Sequence, residues 1–122
     1  CYETTLVGGF NTSVTDFNFL EITNSLVANA QDSGVISGTV IARNAISDTQ
    51  VLSAPFTVSP GDRVDVNLHD SAGSGAFGPV IILHNGPLGA IKAVVSQYRI
   101  VTPSPLDFEP VAQSVLTPAG AQ

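Results

Sequence analysis

Apolar and polar residues alternate most clearly between Ser33 and Leu68. After the turn residues Ser59–Asp62, positions 64, 66 and 68 are valine or leucine, whereas positions 65, 67 and 69 are polar. In an extended chain this spacing predicts a strand with one buried and one solvated face. Phe56 and Val58 repeat the spacing before the turn, so we expect the two segments to pair as a hairpin.

The other predicted strands flank this stretch. Residues 34–43 form a strand whose Gly38 indicates a bulge or a close backbone approach, and residues 49–58 return the chain with Pro55 marking an edge strand. Residues 77–84 and 90–101 are expected to form a second hairpin. In Phe17–Thr23 neither alternating set is purely polar, so both faces of that strand are expected to contact apolar surface.

Short strands separated by glycine and proline, with no long helix, predict the fold class. Their spacing of about ten residues favours an all-β protein, an antiparallel β-sandwich of about seven or eight strands, immunoglobulin-like or jelly-roll-like. A closed barrel is the alternative. We expect an N-terminal arm or edge strand over residues 1–10, the sandwich over 11–102, and a proline-punctuated tail over 103–122. Because the tail is apolar, it should pack on its own or on a neighbouring subunit.

Charge limits the partners of this 122-residue chain. Four basic and ten acidic residues give a net charge of −6, which argues against nucleic acid as a partner and provides no basic patch for anionic lipid. The apolar runs are far shorter than the roughly 20 residues that a membrane-spanning helix needs. Membrane attachment is therefore expected only through a lipid on Cys1.

Two positions near the N-terminus match modification patterns. Cys1 is the only cysteine, and its position at residue 1 is that of the lipidated cysteine in a processed bacterial lipoprotein. The alternatives are a free thiol or an intermolecular disulfide. Asn11-Thr12-Ser13 fits the N-glycosylation pattern, which matters in a secreted protein.

Catalytic and metal chemistry has little support in the sequence. His69, Asp70 and Ser71 are consecutive, and consecutive residues of an extended chain point apart, so no hydrolytic relay is expected. His69 and His84 could meet across strands and bind a metal with Asp65 or Asp70, although two isolated histidines are usually surface or core groups. Calcium ligands could come from aspartates 16, 32, 62 and 70, but their spacing is not that of a calcium loop. We predict no enzyme activity and no cofactor.

Lys92, the only lysine, interrupts an apolar segment. Beside Asn18 and Glu21 it could form an amide bond to the asparagine. The favoured interpretation is a lysine whose stem covers apolar surface while its ammonium group reaches water.

Segments between residues 17 and 100 carry two resemblances. The order FLEITN, SGTVIAR, APFTVSPGDRVDVNL and VIILHNGPLGAIKAVVSQYR resembles bacterial immunoglobulin-like β-sandwich modules of the sensory-rhodopsin-transducer-like kind. More loosely, the chain is similar to secreted β-sandwich fibre subunits of biofilm matrices and archaeal bundling pili. The second resemblance implies assembly in which a terminal strand is lent to a neighbour.

The function predicted from these features is structural. We expect an extracellular or cell-surface subunit that assembles with copies of itself into a filament or lattice, through its terminal segments and sheet edges. The predicted assembly contacts are Phe10, Phe17, Phe19, Phe108, Val111, Val115 and Leu116. The alternative is a lipid-anchored or modular binding domain that recognises carbohydrate or a protein through the loops at residues 70–77 and 85–88.

Overall fold

The chain is an antiparallel β-sandwich, which confirms the predicted fold class. A computed structural model describes residues 4–13, 15–27 and 33–119. Within those ranges it contains nine strands and one helical turn: β1 (Thr4–Asn11), β2 (Phe17–Asn24), β3 (Ile36–Asn44), β4 (Thr49–Val58), β5 (Arg63–Asn67), α1 (His69–Ala72), β6 (Phe77–His84), β7 (Ile91–Pro103), β8 (Leu106–Val115) and β9 (Thr117–Pro118).

Two sheets form the layers of the sandwich. The five-stranded sheet has the order β4-β3-β6-β1-β9, and the four-stranded sheet has the order β5-β2-β7-β8. All neighbouring strands are antiparallel. The core lies between the sheets and is made of inward-facing aliphatic side chains, with Val40, Val80 and Ile82 from one sheet and Leu20, Ile22 and Val95 from the other fully buried.

The two predicted hairpins, β4 with β5 and β6 with β7, are wrong, whereas β3 and β4 do pair. β4 and β5 lie at the edges of different sheets, and β6 and β7 also belong to different sheets. The turn after β4 does close, because the Asp62 main-chain N–H donates to the Ser59 carbonyl at 3.0 Å. Asp62 then accepts from the Asn24 N–H at 3.1 Å, and the Gly61 N–H donates to the Asn24 carbonyl at 2.8 Å. The turn is thus bonded to the end of β2, and it carries the chain from one sheet to the other.

The terminal segments supply strands of the same sandwich. β1 lies between β6 and β9 in the five-stranded sheet, so the predicted N-terminal arm is an interior strand from Thr4 onward. The predicted tail forms β8, which pairs with β7, and β9, which pairs with β1. The described part of the tail therefore packs on its own subunit.

Two buried asparagines join the layers at opposite ends of β2. Asn18 accepts from the Asn11 N–H at 3.0 Å and donates to the Thr15 hydroxyl at 3.0 Å. Asn24 donates to two main-chain carbonyls, those of Gly34 at 2.8 Å and Val58 at 3.0 Å. Because both side chains are fully buried, these bonds offset the cost of removing the amides from water.

Gly38 confirms the predicted close backbone approach. A Cβ atom at this position would lie 2.2 Å from the Leu83 carbonyl oxygen and 2.8 Å from the ring of Phe56. Only glycine fits there without moving the paired strand.

Candidate functional site

The outer face of the four-stranded sheet carries a group of aromatic rings in mutual contact. This aromatic patch consists of Phe17, Phe19, His69, Tyr98 and Phe108. Ring centroids lie 5.0 Å apart for Phe17 and His69, and 5.5 Å apart for both Phe17–Phe108 and Tyr98–Phe108. These pairs are edge-to-face, at interplanar angles of 63°, 77° and 81°, which is a favourable arrangement for aromatic quadrupoles. The patch is therefore a packed unit rather than a chance accumulation of rings.

Strand alternation explains how the patch is built. In β2 the even-numbered residues Leu20 and Ile22 enter the core, so Phe17 and Phe19 point away from it. Phe17 pairs directly with Tyr98 of β7. Phe108 completes the patch from β8, at the edge of the sheet, and 47% of its surface is exposed.

His69 closes the patch at the start of α1. Its Nδ1 accepts a hydrogen bond from the main-chain N–H of Asn18 at 3.0 Å, which fixes the ring beside Phe17 and Phe19. Only 13% of the side chain is exposed, and Nε2 lies 3.9 Å from the Asp70 carboxylate. His69 thus contributes mainly as a packed ring with one polar edge.

A row of polar side chains crosses all four strands next to the aromatic patch. This polar row consists of Arg63, Glu21, Ser96 and Gln113. Arg63 lies 3.3 Å from Glu21 Oε1, the Ser96 hydroxyl donates to Glu21 Oε2 at 2.8 Å, and Gln113 donates to the Ser96 oxygen at 3.3 Å. Arg63 also pairs with Asp65 at 3.0 Å. The charges beside the aromatic patch are thus largely paired with one another.

A shallow depression of about 250 Å³ lies between β7 and β8 beside the patch. It is lined by Ser96, Gln97 and Tyr98 and by residues 110–113. The pairing register shifts here, since Gln97 faces Ala112 whereas Tyr98 faces Pro110, which leaves Val111 as an extra residue in β8. This bulge opens the strand pair and creates the depression.

The edges of both sheets are protected against a further strand. The long edge strands β4 and β8 contain Pro55 and Pro110, and proline has no N–H to donate to a neighbour. The edge strand β5 begins with the charged Arg63 and carries Asp65, and the β9 strand is only two residues long. The exposed apolar surface therefore lies on a sheet face, with edges that discourage strand addition.

The structure divides the predicted assembly contacts into two sets. Phe17, Phe19 and Phe108 meet in the aromatic patch, and Val111 and Val115 are exposed on β8, at 49% and 67% of their surface. Phe10 and Leu116 are buried in the protomer's own core, at 3% and 4% exposed, so their side chains already have partners within the chain.

The other predicted sites are placed as follows. Cys1 lies outside the described residues. Asn11 ends β1, where its Oδ1 accepts from the Ser13 N–H at 2.8 Å. The amide bond considered for Lys92 is not formed, because Lys92 is exposed on the outer face whereas Asn18 is buried on the inner face of the same sheet.

The two histidines, which were considered as a metal pair, do not meet. His84 belongs to β6 in the five-stranded sheet and is fully buried, whereas His69 lies on the outer face of the four-stranded sheet. Within residues 4–13, 15–27 and 33–119, no group of three or more His, Cys, Asp and Glu side chains could hold a metal ion.

His84 has one satisfied and one unsatisfied ring nitrogen. Nδ1 accepts from the main-chain N–H of Gly86 at 3.1 Å, and Nε2 has no hydrogen-bond partner in the described part of the chain. Burial lowers the pKa of His84 below its ordinary value of 6.5, since a charged imidazole would lose its hydration. The ring is therefore neutral, with its proton on Nε2.

Tyr98 and His69 are the patch residues that sequence reasoning did not assign to an interaction surface. The signal that the sequence offered was the pair of apolar residues on the outer face of β2, Phe17 and Phe19. Which residues join that set depends on the pairing of β2 with β7 and on the position of α1, and neither follows from a local pattern.

No protein-family model and no curated protein matches this sequence. Among solved structures, the chain is similar to the crystal structure of Thermotoga maritima 1070, with a TM-score of 0.61 and 10% sequence identity. The alignment covers 95% of this chain and 94% of that one. This similarity shows a shared fold over nearly the whole chain. Within the described ranges, no helix is long and apolar enough to cross a membrane.

Proposed function

We propose that this protein is a self-associating structural subunit whose copies pack through the aromatic patch. The observation that carries the proposal is a contiguous, partly exposed cluster of rings on the outer face of a sheet. Soluble monomers rarely expose large contiguous apolar patches, and aromatic residues are enriched where proteins meet. An extracellular or cell-surface location belongs to the same proposal and is supported by the sparse charge of the chain.

The sheet edges favour face packing over strand lending. Pro55 and Pro110 interrupt the row of donors that a new strand would need along β4 and β8. By contrast, Phe108, Val111 and Val115 present side chains that a second copy could cover. A second copy is the favoured occupant because the charged neighbours of the patch are already paired, so a like surface can approach without leaving charges unpaired.

Phe108→Ser tests this proposal, with Leu88→Ser as the matched control. Leu88 is exposed to 66% in the loop before β7 and takes no part in the patch. Loss of an aromatic contact should cost about 2 kcal/mol of association free energy, which corresponds to about 30-fold weaker association. Sedimentation equilibrium over a range of protein concentrations measures the association constants of the wild type and both variants.

Salt provides a second readout of the same association. Each copy carries a net charge of −6, so copies repel one another, and added salt screens this repulsion. Association of the wild type should therefore strengthen as the salt concentration rises. A wild-type protein that stays monomeric at high concentration and high salt, or a Phe108→Ser variant that associates like the control, would refute the proposal.

A second candidate function is recognition of a small carbohydrate, favoured by the depression beside Tyr98. The Tyr98 ring beside the Gln113 amide is a suitable surface for a sugar, which offers one apolar face and several hydroxyls. At about 250 Å³ the depression suits a ligand no larger than a monosaccharide. Chemical-shift changes at Tyr98 and Gln113 during titration with a panel of monosaccharides would support it, and their absence at high sugar concentration would exclude it.

A further inference from the structure

The turn that follows β6 contains the only Asn-Gly pair of the sequence, Asn85-Gly86. In such a pair the main-chain nitrogen of the glycine can attack the side-chain amide carbon of the asparagine, because glycine has no side chain of its own to hinder the nitrogen. Asn85 is exposed, so ammonia can leave and water can enter. The turn thus carries the two reacting groups side by side in the sequence.

Hydrogen bonds in the turn assist both partners of that reaction. The Gly86 N–H, which would become the nucleophile, donates to His84 Nδ1 at 3.1 Å. The Asn85 side-chain carbonyl, which would be attacked, accepts from the Ser37 N–H at 3.1 Å. A base therefore lies at the nitrogen that must lose its proton, and a donor lies at the oxygen on which negative charge develops.

His84 is held in the state that this role requires. Nδ1 can accept a proton only while it carries none. The ring is fully buried, and no charged side chain is buried among the residues that the structure describes, so nothing there stabilises a second proton on the ring. The bond to Gly86 fixes the tautomer, which leaves the Nε2 proton without a partner in the described residues.

We propose that Asn85 is a site of spontaneous succinimide formation in the folded protein, with His84 as the base that activates the Gly86 nitrogen. The bond between Gly86 N and Asn85 Cγ forms, and the bond between Cγ and Nδ2 breaks. The proton from Gly86 passes through His84 to the departing ammonia. Water then opens the succinimide to aspartate or isoaspartate, so the chain loses one ammonia and gains one water.

The modification would act at the opposite end of the sandwich from the aromatic patch. Ile91, at the start of β7, pairs with Asn24, whereas Tyr98 pairs with Phe17. Seven residues of extended chain separate the two ends by roughly 23 Å. An isoaspartate lengthens the main chain and would break the two bonds that join Asn85 to Ser37. The expected effect is a loosened turn, with self-association through the patch unchanged.

Peptide mapping of the aged full-length protein tests the proposal. The protein is kept folded at neutral pH, and the isoaspartate and aspartate content at position 85 is followed with time by mass spectrometry and isoaspartyl methylation. A synthetic peptide covering residues 79–90 has the same Asn-Gly pair without the folded turn. The folded protein should react about tenfold faster than the peptide, because the base and the donor are in place only in the fold.

Two controls separate assistance by His84 from other effects. His84→Phe keeps a ring of similar size but removes the acceptor, and its rate should fall to that of the peptide or below. Asn44 and Asn67, which are not followed by glycine, should stay intact in the same digests. If His84→Phe does not fold, the comparison of the wild type with the peptide still decides. A folded wild type that reacts no faster than the peptide would overturn the proposal, whatever its state of association.

Discussion

Leu116 is the residue on which docking of the C-terminal segment onto its own protomer depends. It lies between β8 and β9, where the chain passes from the four-stranded to the five-stranded sheet. Its N–H donates to the Ala93 carbonyl at 2.9 Å, and its side chain is 4% exposed. A Cβ atom at Gly8 of β1 would lie 2.7 Å from Leu116 Cγ, so the leucine occupies the space that Gly8 leaves free.

This contact predicts the behaviour of three variants. Leu116→Ala should lower the free energy of unfolding by about 3 kcal/mol, from lost burial and the cavity left behind. Gly8→Ala should cost about 1–3 kcal/mol, because its methyl group meets the leucine. In the double variant the added methyl enters the emptied space. The combined loss should therefore be smaller than the sum of the single losses by about 1 kcal/mol or more.

Urea denaturation followed by circular dichroism gives these free energies, measured over a wide range of protein concentrations. Because the contact is made within one chain, the losses should not depend on concentration. A loss below about 1 kcal/mol for Leu116→Ala would refute the assignment of Leu116 to the core. Strictly additive losses would refute its contact with Gly8, and a loss that grows at low concentration would indicate docking onto a neighbouring copy.

Three further changes test individual features of the fold in the same denaturation assay. Gly38→Ala should cost about 3 kcal/mol, since its Cβ would lie 2.2 Å from the Leu83 carbonyl oxygen, and a loss below about 1 kcal/mol would contradict that close approach. Asn24→Ala should cost about 2 kcal/mol, because two buried carbonyls lose their donor, and an unchanged stability would show that water replaces the amide. Burial lowers the pKa of His84 in the fold, so the unfolded chain takes up the proton first, and stability should fall as the pH drops below about 6.5, by at most about 1.4 kcal/mol per pH unit. His84→Phe should flatten this dependence, and an equal slope in wild type and variant would assign it to other groups.

Strand positions were predictable where one face is buried and the other wet. The alternation after the turn at residues 59–62 is seen as β5, and the strand at Phe17–Thr23 is seen as β2 with an aliphatic inner face and an aromatic outer face. Both predictions rest on the two-residue period of a strand, which a local pattern contains in full.

Strand partners were less predictable, because the same turn residues can connect two paired strands or two strands of different sheets. Ser59–Asp62 forms a tight turn, as its proline and glycine indicated, yet it leads into the opposite sheet. Whether the chain forms a hairpin or crosses to the other sheet depends on what the turn bonds to. Here it bonds to the main chain of Asn24, which is distant in sequence. The termini were placed outside the sandwich for the same reason, since the pairing of β1 with β6 spans most of the chain.

Three of the five rings in the aromatic patch were predicted from the sequence. Phe17 and Phe19 were predicted as contacts because neither face of their strand is polar, and Phe108 was predicted because it lies in the apolar tail. Tyr98 and His69 join them through pairing and through the bond of His69 to Asn18, which a single strand pattern does not contain. The resemblance to bacterial immunoglobulin-like modules stays a prediction.

The positions of β8 and β9 change how self-association has to be tested. Deletion of residues 103–122 would remove β8 from one sheet and β9 from the other, so a loss of assembly would also follow from simple unfolding. Phe108 avoids this difficulty, because it lies on the outer face of an edge strand with nearly half of its surface exposed. Its replacement removes contact area that a second copy would cover and leaves the core intact. The prolines in the edge strands agree with packing through the aromatic patch. Face packing fixes one arrangement of copies, whereas unprotected edges would allow uncontrolled strand addition.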